Sequence, residues 1–192
     1  MRTRYQNICN LIFLGLAFSS AQCAIADVIN GRVPVVSSNG STLTTIVAPA
    51  NVSHFYGYQN SSVEVAGGHV SWLHLHDSST GLISGGNISW IKLYDNSSVR
   101  ITGVDSLSWL VFEDTTSIAE IVANNVQYTN GLLSGSWDNG SPFIFWAVTS
   151  PIMPNDTIPS NIVISSVPEP SQGLLFLGGV AILAALRARR FS

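Results

Sequence analysis

Three tryptophans, Trp72, Trp90 and Trp109, recur 18 and 19 residues apart. Flat apolar rings at a fixed spacing suit the faces of sugar rings, so they form a candidate ligand ladder for polysaccharide. They could equally form a structural stack, worth ~0.5–1.5 kcal/mol per ring pair, as aromatic cross-strand pairs do in sheets. His54 precedes this column and Tyr128 follows it. Tyr58, His76 and Tyr94 make a second column at the same period. His74 and His76 are two apart, which on a strand places both on one face. A metal held there would need a third ligand, and none is evident. Asp77, Asp95 and Asp114 make a third column. Stacked carboxylates could hold Ca²⁺, which takes oxygen ligands, or could cap turns by accepting from backbone N–H groups. Gln59 opens that column without a charge, which favours capping. No metal and no other cofactor are expected.

Catalytic constellations are missing from the sequence. There is no G-x-S-x-G, no phosphate-binding loop and no H-E-x-x-H. Some β-helix proteins cleave acidic polysaccharides, but they hold the substrate with basic residues, and this repeat offers only Lys92 and Arg100. A non-catalytic role is expected, with a polysaccharide-binding or polysaccharide-cleaving β-helix protein as the alternative. Between Asp27 and Val167 the cations are Arg32, Lys92 and Arg100 against ten Asp and Glu, a net charge of −7. Such a surface repels phosphate backbones, so nucleic acid is not an expected partner.

These columns need elements that repeat with them. Val52-Ser53, Val70-Ser71, Ile88-Ser89 and Leu107-Ser108 open four similar blocks, separated by 18, 18 and 19 residues. A weaker fifth block opens at Val126, and Val33 opens a capping block before the first. Taking Ile88 as origin, Ser89, Ile91, Leu93, Asp95, Ser97, Val99, Ile101 and Gly103 share one face. Trp90, Lys92, Tyr94, Asn96, Ser98, Arg100 and Thr102 share the other. A period of two with β-branched and aromatic residues means strand. A short fixed repeat, with Gly67-Gly68 and Gly85-Gly86 at the joints, means coils that stack on one another. The fold expected is all-β, a short β-solenoid of 18–19-residue coils, with equivalent residues ~4.8 Å apart. Apolar residues do not recur at every sixth position, which speaks against a hexapeptide helix. A β-sandwich would not explain why residue types repeat in register. Leu132 to Val148 breaks the repeat and is expected to cap the C-terminal end.

Both ends of the chain differ from this passenger. Arg2 and Arg4 precede an apolar run, Ile8 to Phe18, and Ala24-Ile25-Ala26 follows. That is the order of a secretory signal peptide over residues 1–26, with Ala24 and Ala26 at the positions read for cleavage before Asp27. The run is shorter than the ~20 residues of a spanning helix, which weighs against a retained anchor, and Gln22 weighs against lipid attachment at Cys23. Cys9 and Cys23 both fall in this segment, so cleavage leaves no cysteine and no disulfide or thiolate site. Residues 27–150 form the passenger, and residues 151–166, with Pro151, Pro154 and Pro159, read as a spacer.

Residues 167–192 read as a membrane-directed tail. Val167-Pro168-Glu169-Pro170 leads, after a short polar step, into an apolar run at residues 173–186, expected to be a transmembrane helix. At ~1.5 Å per residue this run is about 21 Å long, short for a ~30 Å hydrocarbon core. Arg187, Arg189 and Arg190 then hold the end on the cytoplasmic side. The ordered triplet of Pro-Glu-Pro, apolar run and terminal arginines resembles the PEP-CTERM sorting signal of bacteria. The resemblance covers Val167 to Arg190, with Phe191-Ser192 as a small departure. It implies recognition of Val167, Pro168, Glu169 and Pro170 by an exosortase, a membrane cysteine protease, and association with extracellular polysaccharide and biofilm. The expected location is exported, membrane-anchored at least transiently, then cell surface or matrix.

Overall fold

Val63 and Val65, and likewise Leu73 and Leu75, are buried, while Glu64 and His74 between the members of each pair are not. One short strand cannot hide such a stripe, but a stack of parallel strands can. In the computed structural model, which describes residues 26–150 and 156–166, every coil contributes to such a stack. The described residues are all-β, without a helix, and form a β-solenoid of about five turns.

The chain alternates between two parallel stacks. The first contains β1 (Ala26–Ile29), β3 (Leu43–Ile46), the start of β5 (Ser62–Leu75), the start of β6 (Thr80–Leu93), β7 (Ser98–Ile101) and β9 (Ile118–Val122). The second contains β2 (Arg32–Ser38), β4 (Asn51–Gly57), the ends of β5 and β6, and β8 (Ser106–Phe112). Ser62 pairs with Thr80 and Thr80 with Ser98, so residues 18 apart become strand neighbours. Inward residues of both stacks share one apolar core, including Ile46, Phe55, Leu73, Ile83, Ile91 and Ile101. Val33 pairs with Val52, so the capping block expected there is a coil in register.

Three expectations need correction. First, alternation does not run unbroken from Ile88. Ile88 and Ile91 are both buried, and the two residues between them, Ser89 and Trp90, are only partly buried. Ser53, Ser71 and Ser89 are left out of the pairing in successive coils. One unpaired residue reverses the parity of the strand, as a bulge does. Second, Val126 does not open a fifth coil. It lies on β10 (Asn124–Thr129), which pairs antiparallel with β11 (Leu132–Ser136), itself antiparallel to β12 (Pro142–Thr149). The strand that continues the second stack is β12, parallel to β8, so the hairpin of β10 and β11 is an insertion that ends up outermost. Third, residues 151–166 are not only a spacer. β13 (Ile162–Ser165) pairs parallel with β9 and extends the first stack. Asn161 anchors this strand: it is 5% exposed, and its amide donates to the carbonyls of Ser117 (2.7 Å) and Asp114 (3.3 Å).

The coils close at two unlike corners. At one, Gly68 and Gly86 have φ of +82° and +86°. A Cβ on Gly68 would lie 2.8 Å from the Ala50 carbonyl oxygen, so the corner needs glycine for conformation and for space. At the other, Gln59, Asp77 and Asp95 have φ of 56–58° and each precedes a buried serine by two residues. Asp is among the few side chains that tolerate this conformation.

The leader with Ala24, the motif Val167 to Pro170, the run 173–186 and Arg187, Arg189 and Arg190 lie outside the described residues. Ala26 is described and begins β1. Among the described residues no helix is long and apolar enough to cross a membrane.

Candidate functional site

The second stack carries an aromatic strip on its outer face. Trp72, Trp90 and Trp109 pair directly across β5, β6 and β8. Their ring centroids are 4.9 and 5.0 Å apart, with planes within 10°. His54 stacks before Trp72 at 6.2 Å, as the spacing leads one to expect. Tyr128 does not follow. It sits on β10, opposite buried Leu133, and its hydroxyl donates to the Ala147 carbonyl at 2.9 Å. The ring above Trp109 is Trp146 of β12, at 5.2 Å. Trp146 lies 37 residues beyond Trp109, the interval that also separates Trp72 from Trp109, so the period reaches it two coils on, with the β10–β11 insertion taking the place of the coil between.

Beside this column the chain stacks a second and a third. Tyr56 lies 4.7 Å from His74, and Lys92 is the next residue in that column. Tyr58, His76 and Tyr94 stack at 4.9 and 4.2 Å, as expected from their spacing. Parallel rings at these distances fill the gap between them, since ring pairs pack at ~4.5–7 Å. A sugar ring therefore cannot enter between neighbours. Ring edges, phenol hydroxyls and imidazole nitrogens are what the partly exposed strip presents.

Charges facing the strip are arranged around His74. Burial, then His76, Lys92 and His54, push its pKa down from 6.5 to about 4, against the opposing pull of Glu113. It is neutral at pH 7. Lys92 Nζ donates to Glu113 Oε1 at 2.7 Å. That bond holds the ammonium pKa above its ordinary value. Burial opposes the charge on Glu113, but hydrogen bonds from Lys92 and Ser150 hold its pKa below normal. Arg100 is likewise paired, with Glu120. Both cations of the repeat are thus committed to carboxylates.

The aspartate column is equally occupied. Asp77 Oδ2 accepts from the Gln59 N–H at 2.8 Å, and Asp95 Oδ2 from the Asp77 N–H at 3.1 Å. Asp114 accepts in the same way from the Asp95 N–H. It also accepts from the N–H groups of Thr116 (3.0 Å) and Ser117 (2.9 Å). Burial opposes its ionisation, yet these donors keep its pKa below the usual range. The capping expected of these residues is present, but each carboxylate caps the coil before its own, and Asp114 caps its own turn as well. The positive φ turns each corner N–H towards the next coil, and a stacked Asp meets it. Among the described residues no group of three or more His, Cys, Asp or Glu side chains is placed to hold a metal ion.

No protein-family model, curated protein or solved structure matches this chain.

Proposed function

We propose that this chain is a non-catalytic, exported component of the bacterial cell surface or extracellular matrix. In this reading, residues 1–26 direct export, the solenoid is the passenger, and Val167 to Arg190 hand the protein to an exosortase-type enzyme at the membrane. One observation supports the non-catalytic part: the rings, aspartates and cations that the sequence singles out are engaged with one another or with the backbone. The rings stack on rings, the aspartates accept backbone N–H groups, and Lys92 and Arg100 are paired with Glu113 and Glu120. A solenoid held this way is stiff and cysteine-free beyond the leader, which suits a structural element outside the cell.

Intact mass and cell fractionation test this reading. The expected product begins at Asp27, has lost residues beyond the Pro168-Glu169-Pro170 motif, and is found at the surface or in the matrix. A full-length chain retained in the cytoplasm overturns it.

A second reading, polysaccharide binding, is favoured by the partly exposed ring edges of the strip. Trp90→Ala with Trp109→Ala is expected to lower retention on host exopolysaccharide if the strip binds it. Unchanged retention in a folded variant removes this reading, and a fall in polymer mass on incubation with the parent protein would replace both readings by an enzyme.

A further inference from the structure

The aromatic face of the second stack is wider than its tryptophan column. The four stacked tryptophans run beside Tyr56 and, one column further out, Tyr58 and Tyr94. All seven rings are partly exposed. The patch crosses β4, β5, β6, β8 and β12, and a further strand flanks it on each side, β2 before and β11 after. Five strands at ~4.8 Å make it about 20 Å long. Neighbouring ring planes along the columns stay within 16° of one another. Ring faces therefore meet ring faces, and edges point outward.

A sugar stacks on the faces of rings, and these faces are turned to one another. The headgroup layer of a bilayer takes edges: Trp and Tyr sit there, with an apolar body and a polar N–H or O–H. Charge narrows the kind of lipid. Lys92 is the one Lys or Arg in these columns, and it is bonded to Glu113. His74, beside it, is neutral at pH 7. Asp77, Asp95 and Asp114 follow His76, Tyr94 and Glu113 directly in the chain and border the patch. No free cation is placed to draw in anionic lipid, and the bordering carboxylates repel it. Distance also fits. Six residues, 167–172, separate Ser166 from the apolar run at 173–186. The seven steps from Ser166 to Gly173, at ~3.3–3.6 Å each, extend about 25 Å at most. Packed sheets lie only ~10 Å apart, so a solenoid on its side stays within that reach.

We infer that this aromatic face lies on the membrane surface and docks the solenoid sideways against zwitterionic lipid while the tail is in place. This rests on the tail reaching the bilayer, as proposed above. The tail supplies the tether, and the ring edges fix which side of the passenger meets the lipid.

Tryptophan emission of the full chain on vesicles tests it. Of the five tryptophans four lie in this patch, and the fifth, Trp137, is 2% exposed. Residues 1–26 and 167–192 contain none, so the emission reports the face even when the tail alone holds the chain. On phosphatidylcholine vesicles with brominated acyl chains the emission is expected to fall at least about twofold against unbrominated ones, because interfacial rings lie at the headgroup level. Quenching by acrylamide from the water side should weaken in parallel. Tyr58→Glu puts a charge against the lipid and should reverse most of the bromine quenching, with a melting curve to check that the variant is folded. Adding phosphatidylglycerol to the vesicles should reduce the quenching of the unaltered chain. Quenching that ignores both changes overturns the inference. A chain that floats with the vesicles but shows no bromine quenching also overturns it and leaves the anchoring reading intact. A chain that does not float overturns both. Protection from acrylamide without bromine quenching places a second copy on the face, and protection that needs added exopolysaccharide places a glycan there; either result overturns the inference.

Discussion

The coils from Asn51 to Ile101 and the region from Ser106 to Ser165 extend the same two stacks by different means. In the first, each coil is a near copy of its neighbour, and corner, core and outer column all recur at 18 residues. In the second, the chain leaves the solenoid as a hairpin, returns with β12, and closes with β13, joined to β9 across 43 residues of sequence (Ala119 to Ile162). Repetition secures the first region, because every coil buries the next. Individual polar contacts such as those of Asn161 secure the second. Damage should therefore spread in the first and remain local in the second.

The largest difference is expected at glycine. Gly68→Ala forces a Cβ against the Ala50 carbonyl oxygen in a left-handed corner. Strain and overpacking together should cost roughly 2–5 kcal/mol in a urea melt. Gly140→Ala has the same sign of φ (+80°) but open space around it, and should cost only ~1–2 kcal/mol. Equal losses would erase the contrast between the regions. Next come the ring stacks. Trp90→Ala removes two stacked neighbours, about 1–3 kcal/mol in stacking alone, while Trp146→Ala removes one, ~0.5–1.5 kcal/mol.

Asn161→Ala leaves the Ser117 and Asp114 carbonyls without that donor and should cost ~1–3 kcal/mol. Hydrogen exchange should show the loss in β13 and β9 and leave β5 and β6 protected. Exchange that rises everywhere would show that the C-terminal coil is not a local unit. The smallest effect is expected from pH. The unfolded chain protonates His74 near 6.5 and the folded one only near 4. The unfolded state thus binds more protons in that window, so the contribution of His74 is complete above pH 6.5 and is lost as pH falls towards about 4. The melting temperature should fall between pH 7 and pH 5, and less so in His74→Gln. Identical slopes would remove His74 as the cause.

Much of the passenger was legible in the residues themselves. The period of 18–19, the stacking of Trp72, Trp90 and Trp109, the Tyr58–His76–Tyr94 column and the capping aspartates all follow from one rule. In a solenoid a residue's neighbour in space is the one a coil further along, so a repeat in sequence is already a contact map. The rule fails wherever the count is broken. Trp146 follows Trp109 by 37 residues, two coil lengths, yet it is the next ring of the stack, because the hairpin takes the place of one coil. β13 was hidden within a proline-containing stretch that reads as a spacer, because four residues carry too little pattern to reveal a partner strand. The parity change at Ser89 needs the pairing of both neighbouring coils to be visible. Sequence alone determined the coil and what recurs in it, since those depend on local alternation and spacing. Tertiary structure decided the ends, the insertion and which donor each carboxylate meets, because the coil interval names a neighbouring residue but not the atom that is met, nor the strand that takes the place of a coil.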